Sequence, residues 1–252
     1  MEATNPNVRA LLFSSHKVHG REYLDHAEGA IKAFLGPVTK VVFIPFALND
    51  WDRYTWENRK RFAAMDIDLI GIQEVQGNIH DELDKLYLGR DSLAIVVGGG
   101  NTFRLLKDMQ SGLIDQMRFY LTVRGVRYIG VSAGTNVVCP TIMTTNDMPI
   151  VMPWSFDALG LIPYQINTHY VDAAIADGHM GETREERIRE FHEENDVPVI
   201  GLREASWILV EQGISTLGGP SAARLFLPGH AAEFEGTRSI ESEIAYAQSL
   251  QR

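Results

Sequence analysis

The chain has 252 residues, 45% apolar and 22% charged, with 22 Gly and 10 Pro, a globular composition that excludes disordered, collagenous and low-complexity classes. Acidic residues exceed basic ones by 33 to 23, a net charge of −10, so the mean field repels phosphate backbones and anionic membranes, and neither nucleic acid nor a membrane is an expected partner. No run approaches the roughly 18 apolar residues of a membrane span, and the opening Met1-Glu2-Ala3-Thr4-Asn5-Pro6 lacks the regions of a signal peptide, so a cytoplasmic protein is expected.

Along the chain, short apolar runs alternate with amphipathic stretches, the pattern of an α/β protein. Strands are predicted at Val8 to Phe13, Val41 to Pro45, Asp68 to Ile72, Leu93 to Val97 and Tyr128 to Val131. Their aliphatic character on both faces suits a buried parallel sheet. Helices are predicted at Glu22 to Leu35, Trp51 to Met65 and Ile79 to Leu88, with a longer stretch from Thr102 to Arg124; apolar residues such as Ile79, Leu83 and Leu86 recur at helical spacing. Beyond Ser132 a Pro-rich passage through Met148-Pro149, Met152-Pro153 and Ile162-Pro163 leads to a strand at Tyr164 to Asn167 and a charged helix near Glu182 to Glu193. The end reads as short strands at Val199 to Leu202, Trp207 to Glu211, Ile214 to Leu217 and Ala223 to Leu227. Separated by Gly, they are expected to form antiparallel hairpins that extend the sheet, with a closing helix from Ser239. No linker or repeat interrupts the chain, so residues 1–252 are expected to form a single domain.

The most informative segment is Gly130-Val131-Ser132-Ala133-Gly134, a Gly-x-Ser-x-Gly that follows an apolar strand and precedes small residues able to start a helix. That is the context of a nucleophile elbow: a sharp turn lifts the hydroxyl above the sheet, and glycines remove the Cβ atoms that would collide there. A Gly-rich turn with a capping serine is the bland alternative. Gly98-Gly99-Gly100-Asn101-Thr102 also follows a strand and opens a helix. Its exposed N–H groups could form half of an oxyanion hole if it lies beside Ser132. A dinucleotide fingerprint would need glycine where Phe103 stands, and no Gly-Lys-Ser/Thr of a P-loop occurs.

A serine nucleophile needs a base, for which histidine is best suited. Of the eight histidines, His169 ends the Tyr164 to Asn167 strand, where parallel-sheet proteins place ligands. Asp147 and Glu204 are rival carboxylates for orienting it, and spacing does not choose between them. Only His16 and His19 lie close together, and no HExxH or Cys/His zinc spacing occurs, so no metal is expected. The single cysteine, Cys139, can form no internal disulfide, and seven residues beyond the elbow serine it reads as a packing residue.

The Gly98-to-Thr102 and Gly130-to-Gly134 segments, together with Thr144-Thr145-Asn146-Asp147-Met148-Pro149, Gln165-Ile166-Asn167-x-His169, Gly181-Glu182-Thr183-Arg184-Glu185-x-Arg187-Ile188 and Leu217-Gly218-Gly219-Pro220, resemble the peptidase E family, serine peptidase family S51, whose members are α-aspartyl dipeptidases. The resemblance spans most of the chain. It implies a flavodoxin-like, class I glutamine-amidotransferase-like three-layer sandwich with a mostly parallel sheet. It also implies a cofactor-free serine dipeptidase acting on Asp-X dipeptides, as a monomer or a homodimer. By motif position the nucleophile falls on Ser132, the histidine on His169 and the acid on Asp147; Glu204 corresponds to the acid of related cyanophycinases and stays a rival. Gly99 or Gly100, with Ala133, would supply the oxyanion hole, and Thr183 and Asn101 would accompany Arg184 at the substrate. A buried aspartate side chain in an acidic protein needs a local cation, best a bidentate guanidinium, and Arg184 is the choice over an ordinary helix-surface role. Two alternatives differ in kind: an α/β-hydrolase esterase pairing Ser132 with His230, and a catalytically silent small-molecule binder using the same crevice.

Overall fold

In the computed structural model, described over residues 3–17, 20, 22–77, 79–172, 182–236 and 238–251, the strands sort the apolar residues into two layers. Within β1 (Arg9–Phe13), Ala10 and Leu12 join one core while Leu11 and Phe13 join the other, because successive side chains leave a strand on opposite faces. The same division runs through β2 (Lys40–Ile44), with Val42 and Ile44 on one side and Val41 and Phe43 on the other. Helices α1 (Glu28–Leu35) and α2 (Trp51–Ala63) close one face through Ile31, Phe34, Leu35 and Phe62. Helices α3 (Ile79–Leu86), α4 (Thr102–Met109) and α5 (Ile114–Thr122) close the other through Leu83, Leu105, Leu106, Met109, Met117 and Tyr120.

The helical stretch expected from Thr102 to Arg124 is thus two helices. It breaks at Gly112, whose φ of 117° lies outside the helical region and is open to glycine.

β3 (Asp68–Gly71), β2, β4 (Ala94–Val97), β5 (Arg127–Val131) and β1 run parallel in that spatial order. Strand order reverses between β2 and β4, and such switch points open a crevice at the carboxyl ends of strands. The Gly98 turn follows β4, and Ser132 with the short helix α6 (Ala133–Asn136) follows β5, so both expected catalytic segments emerge at that edge.

The C-terminal region differs from expectation. Only the hairpin of β8 (Trp207–Glu211) and β9 (Ile214–Gly218) extends the main sheet. A second sheet, in spatial order β11-β10-β7-β6, combines β6 (Gln165–Tyr170), β7 (Val199–Arg203), β10 (Ala223–Leu227) and β11 (His230–Phe234). Ile166, Ile200, Leu202, Leu225 and Leu227 face the main core. Tyr170, Val199 and Phe226 face Ile188 of α7 (Arg184–Glu194). β6, β7 and β10 therefore have two covered faces, which an extension of the first sheet would not provide. β11 carries no β-branched residue and owes its place to pairing with β10 across Pro228-Gly229. α8 (Ile240–Leu250) closes the chain, capped by Ser239, which accepts from the Ser242 amide. Among the described residues no helix is long and apolar enough to cross a membrane. His19 and Gly181, named from the sequence, lie outside the described residues.

Candidate active site

Ser132 sits between β5 and α6 with φ 52° and ψ −107°, a backbone conformation that costs a non-glycine residue about 1–3 kcal/mol and persists where surrounding structure enforces it. Here the enforcement is local. The Ser132 amide donates to Phe13 O at 3.0 Å, its carbonyl accepts from the Thr135 and Asn136 amides, and the Thr135 hydroxyl donates to Phe13 O at 2.7 Å. A Cβ on Gly134 would lie 2.2 Å from Val97 O, so glycine there lets α6 press against β4. The motif's spacing thus has a steric origin, and the hydroxyl stands at the carboxyl edge of the sheet.

Ser132 Oγ lies 2.7 Å from His169 Nε2. A bulge aims that imidazole: Asn167 pairs with Gly201 and Tyr170 with Arg203, so β6 carries one more residue than β7 over this interval. His169, with φ 53°, lies in it. An extra residue in one strand bends it and re-aims a side chain. Ser14, at the end of β1, holds the bulge: its Oγ accepts from the His169 amide at 2.9 Å and donates to Leu202 O at 2.8 Å.

The other ring nitrogen settles the geometry of the two carboxylates. His169 Nδ1 is 2.6 Å from Glu204 Oε1. An ionised carboxylate only accepts, so Nδ1 carries the proton and Nε2 presents its lone pair to the serine hydroxyl. Burial opposes ionisation of Glu204, but hydrogen bonds from His169 and Ser15 and the charges of His169 and His16 outweigh it and hold the carboxyl below the ordinary glutamate range.

Asp147, placed ahead of Glu204 by motif position, forms no hydrogen bond or ion pair with His169. Its Oδ2 accepts from the Thr102 amide at 2.8 Å, the Thr102 hydroxyl at 2.6 Å and the Thr145 hydroxyl at 3.2 Å. Asn136 Nδ2 joins the same network through both threonines. The physical reason is where the side chain emerges: the 144–147 loop runs past the first turn of α4, whose unpaired amides attract a carboxylate.

Neither the Gly100 nor the Ala133 amide has an acceptor among the described hydrogen bonds. The Gly99 amide, by contrast, faces the hydroxyl of Tyr54. A Cβ on Gly99 would lie 3.2 Å from Ser132 Cβ, so the glycine turn packs directly on the serine. Among the described hydrogen bonds none of the three oxyanion candidates donates to an acceptor, and Gly100 and Ala133 are the two whose amides do not face Tyr54.

Arg184 is the first residue of α7 and is partly buried; its Nη1 donates to Asn146 Oδ1 at 2.8 Å. Asn146 in turn donates to Thr168 O at 2.7 Å and accepts from Asn167 Nδ2 at 3.0 Å, tying the guanidinium to the strand that carries His169. Among the described residues Arg184 forms no ion pair. Burial and the charge of Arg187 lower its pKa, and Asp147 opposes them, yet an arginine stays charged. A cation at a helix N-terminus also opposes the helix dipole. Among the described residues, then, no carboxylate ion-pairs with Arg184, and Asp147 is the acidic charge that acts on it.

The remaining candidates have other partners. Thr183 caps α7, its Oγ1 accepting from the Glu186 amide at 3.1 Å, and Asn101 caps α4, accepting from the Arg104 amide at 3.0 Å and donating to Met148 O at 2.9 Å. Both side chains are engaged in holding helix starts. His230, on β11, lines a cavity of about 490 Å³ with Glu185, Arg189, His192 and Phe226. Ser132 is not part of that cavity, which removes the histidine of the esterase reading. Cys139 is fully buried, its Sγ accepts from the Ile166 amide at 3.2 Å, and burial pushes its thiol up to about 12, as a packing residue requires. Ser14, Asn146 and Tyr54 belong to the site without standing out in the sequence. Ser14 was detectable, because Ser14-Ser15 follows a strand at its carboxyl end, and Asn146 was hidden beside the more conspicuous Asp147.

Several known proteins are similar to this chain over most of its length. Peptidase E of Streptomyces coelicolor is 47% identical over 237 residues, covering 94% of this chain and 95% of its own. A Drosophila melanogaster protein named "Probable alpha-aspartyl dipeptidase" is 41% identical over 219 residues, covering 86% of this chain and 88% of its own. The crystal structure of a peptidase from an acI-B1 actinobacterium superposes with a TM-score of 0.65 at 16% identity, covering 92% of this chain and 96% of its own, a likeness of fold. The family model described as peptidase family S51 matches residues 10–217, a span that holds the elbow, the histidine, both carboxylates and Arg184, and the chain belongs to peptidase family S51.

Proposed function

We propose that this enzyme is a serine dipeptidase that hydrolyses Asp-X dipeptides, with Ser132 as nucleophile, His169 as base and Glu204 as the orienting acid. The observation that carries the reading is the unbroken line Ser132 Oγ, His169 Nε2, His169 Nδ1, Glu204 Oε1, with separations of 2.7 and 2.6 Å. His169 takes the serine proton as Oγ attacks the peptide carbonyl, and Glu204 stabilises the imidazolium that results. The developing oxyanion is received by the Gly100 and Ala133 amides, the latter at the start of α6, where the backbone N–H groups have no helical partner. The imidazolium then protonates the leaving amino group, the X residue departs, and water attacks the acyl-enzyme with His169 again as base.

Specificity rests on Arg184. A partly buried guanidinium that forms no ion pair among the described residues is completed by the aspartate side chain of the substrate, which offers two coplanar oxygens. Asn146 holds one edge of the guanidinium and also contacts Thr168 O, immediately before His169, so the specificity cation and the base share one support. Asp147 works at a distance, as the acceptor that fixes α4 and the 144–147 loop.

The test is hydrolysis of Asp-Leu, Glu-Leu, Asn-Leu and N-acetyl-Asp-Leu by the purified protein. Turnover concentrated in Asp-Leu supports the reading, while equal hydrolysis of all four, or of none, refutes it.

A further inference from the structure

The turn Gly98-Gly99-Gly100 is held from two sides. On one lies Ser132, as described above. On the other lies Tyr54 of α2, buried, with its ring edge-on to Phe43 at 5.1 Å between centroids. A Cβ on residue 98 would meet the Tyr54 hydroxyl oxygen at 2.5 Å. The hydroxyl therefore rests on the backbone of the turn, and only glycine at 98 permits it.

The hydroxyl faces the Gly99 amide and the hydroxyl of Tyr23, both of which favour its ionised form against the burial that opposes it. Tyr23 donates to Asn58 Oδ1 at 2.8 Å, and Asn58 Nδ2 donates to the carbonyl of Tyr54 itself at 2.9 Å. The ring of His16, near the carboxyl end of β1, packs on Tyr23 at 5.2 Å. The neighbouring amides are also occupied: Gly98 donates to Ile44 O at 3.3 Å and Asn101 to Ala47 O at 2.9 Å. Of the four amides from 98 to 101, Gly98 and Asn101 are thus bonded to backbone carbonyls and Gly99 faces Tyr54, which leaves the Gly100 amide.

We propose that Tyr54 is a positioning residue for the hydrolytic reaction, its hydroxyl holding the Gly99 peptide so that the Gly100 amide is presented to the oxyanion. The inference rests on the acyl-transfer reading of Ser132. Its logic is preorganisation: an oxyanion donor works because it is fixed before charge develops, and a donor on an unanchored glycine turn must be ordered at the moment of reaction. Burial also pushes the Tyr54 phenol up to about 12, so the hydroxyl stays neutral over the working pH range.

Tyr54→Phe removes one oxygen and keeps the ring. Loss of an oxyanion donor itself lowers kcat by about 10²–10³-fold, so loosening one should lower kcat on Asp-Leu by roughly 10- to 100-fold with KM within about twofold. Affinity for the boronic-acid analogue of aspartate, which forms a tetrahedral adduct on the serine, should fall by a similar factor. Binding of Asp-Leu to Ser132→Ala and to Ser132→Ala/Tyr54→Phe should be the same. If folded Tyr54→Phe keeps kcat and boronate affinity within about twofold, or if Asp-Leu binding falls as much as kcat, the proposal is wrong. Should Tyr54→Phe fail to fold, Tyr23→Phe decides: a smaller drop in kcat and boronate affinity at unchanged KM supports the proposal, and no drop overturns it. Absence of Asp-Leu hydrolysis by the wild type would sink the dipeptidase reading alone, because the boronate arm still reports on the turn.

Discussion

His169 Nδ1 and Glu204 Oε1 lie 2.6 Å apart, although 35 residues separate them in the chain. β6 and β7 are parallel neighbours, so both residues reach the same edge of the second sheet, and the bulge supplies the offset that brings ring and carboxylate together. Both groups remain partly exposed, at 36% and 48% of the side chain. The pair's contribution is therefore expected mainly in orienting the base, since exposed ion pairs stabilise folds little.

With Ser132 as nucleophile, Ser132→Ala should lower kcat by at least about 10³-fold while leaving the melting temperature within a few degrees, because alanine keeps the Cβ and the backbone conformation and loses only the hydroxyl's bond to His169. Steady-state kinetics on Asp-Leu and a thermal melt check this. More than a tenth of wild-type activity would move the nucleophile elsewhere.

The two carboxylates should separate cleanly. Glu204→Gln leaves His169 without an acceptor that demands the productive tautomer and should lower kcat by about 10²–10⁴-fold. Asp147→Asn should lower kcat far less and instead cost on the order of 1–2 kcal/mol of stability through the weakened bonds to Thr102. Paired kinetics and denaturant titration distinguish them; the reverse pattern would restore Asp147 as the orienting acid.

Stability should carry the signature of Glu204. Its carboxyl is held below the usual value of 4.5, so the folded state binds the proton less readily than the unfolded chain does. That contribution is complete above about pH 4.5 and disappears as pH falls through the lower folded value. The difference in melting temperature between wild type and Glu204→Gln should accordingly stay level from pH 7 to 5 and shift toward the variant on further acidification. A difference independent of pH between 5 and 3 would contradict the assignment.

Arg184→Met should erase the preference for Asp-Leu over Asn-Leu. Asn matches Asp in size without its charge, and leaving a desolvated guanidinium unpaired costs on the order of 2–4 kcal/mol, roughly 30- to 1000-fold in kcat/KM. Retained Asn-Leu turnover with lost Asp-Leu preference is the expected result, and unchanged Asp-Leu kinetics would place the carboxylate-binding cation elsewhere. His230→Ala, in the cavity away from Ser132, should keep kcat/KM within about twofold.

The strands and helices of the first half were legible because alternation and helical spacing are local properties, and burial then distributed Leu11 and Leu12 to opposite cores as the pleat requires. The elbow was legible for the same reason: Gly134 is demanded by its approach to Val97, and a strand followed by small residues is visible in one dimension. His169 could be named from its position at a strand end. What only the tertiary structure decided is everything set by neighbours distant in sequence. Glu204 faces His169 because β6 and β7 pair in parallel with one extra residue in β6. Asp147 instead meets the start of α4, 45 residues away in the chain, where unpaired amides attract its charge. The second sheet formed because β6, β7 and β10 have two apolar faces to cover, and Tyr54 met the glycine turn because α2, packed on β3, reaches across Phe43 of β2. Residue type and spacing carry which groups can do chemistry. The distances that make two of them partners arise from strand register and loop paths, which no local pattern encodes.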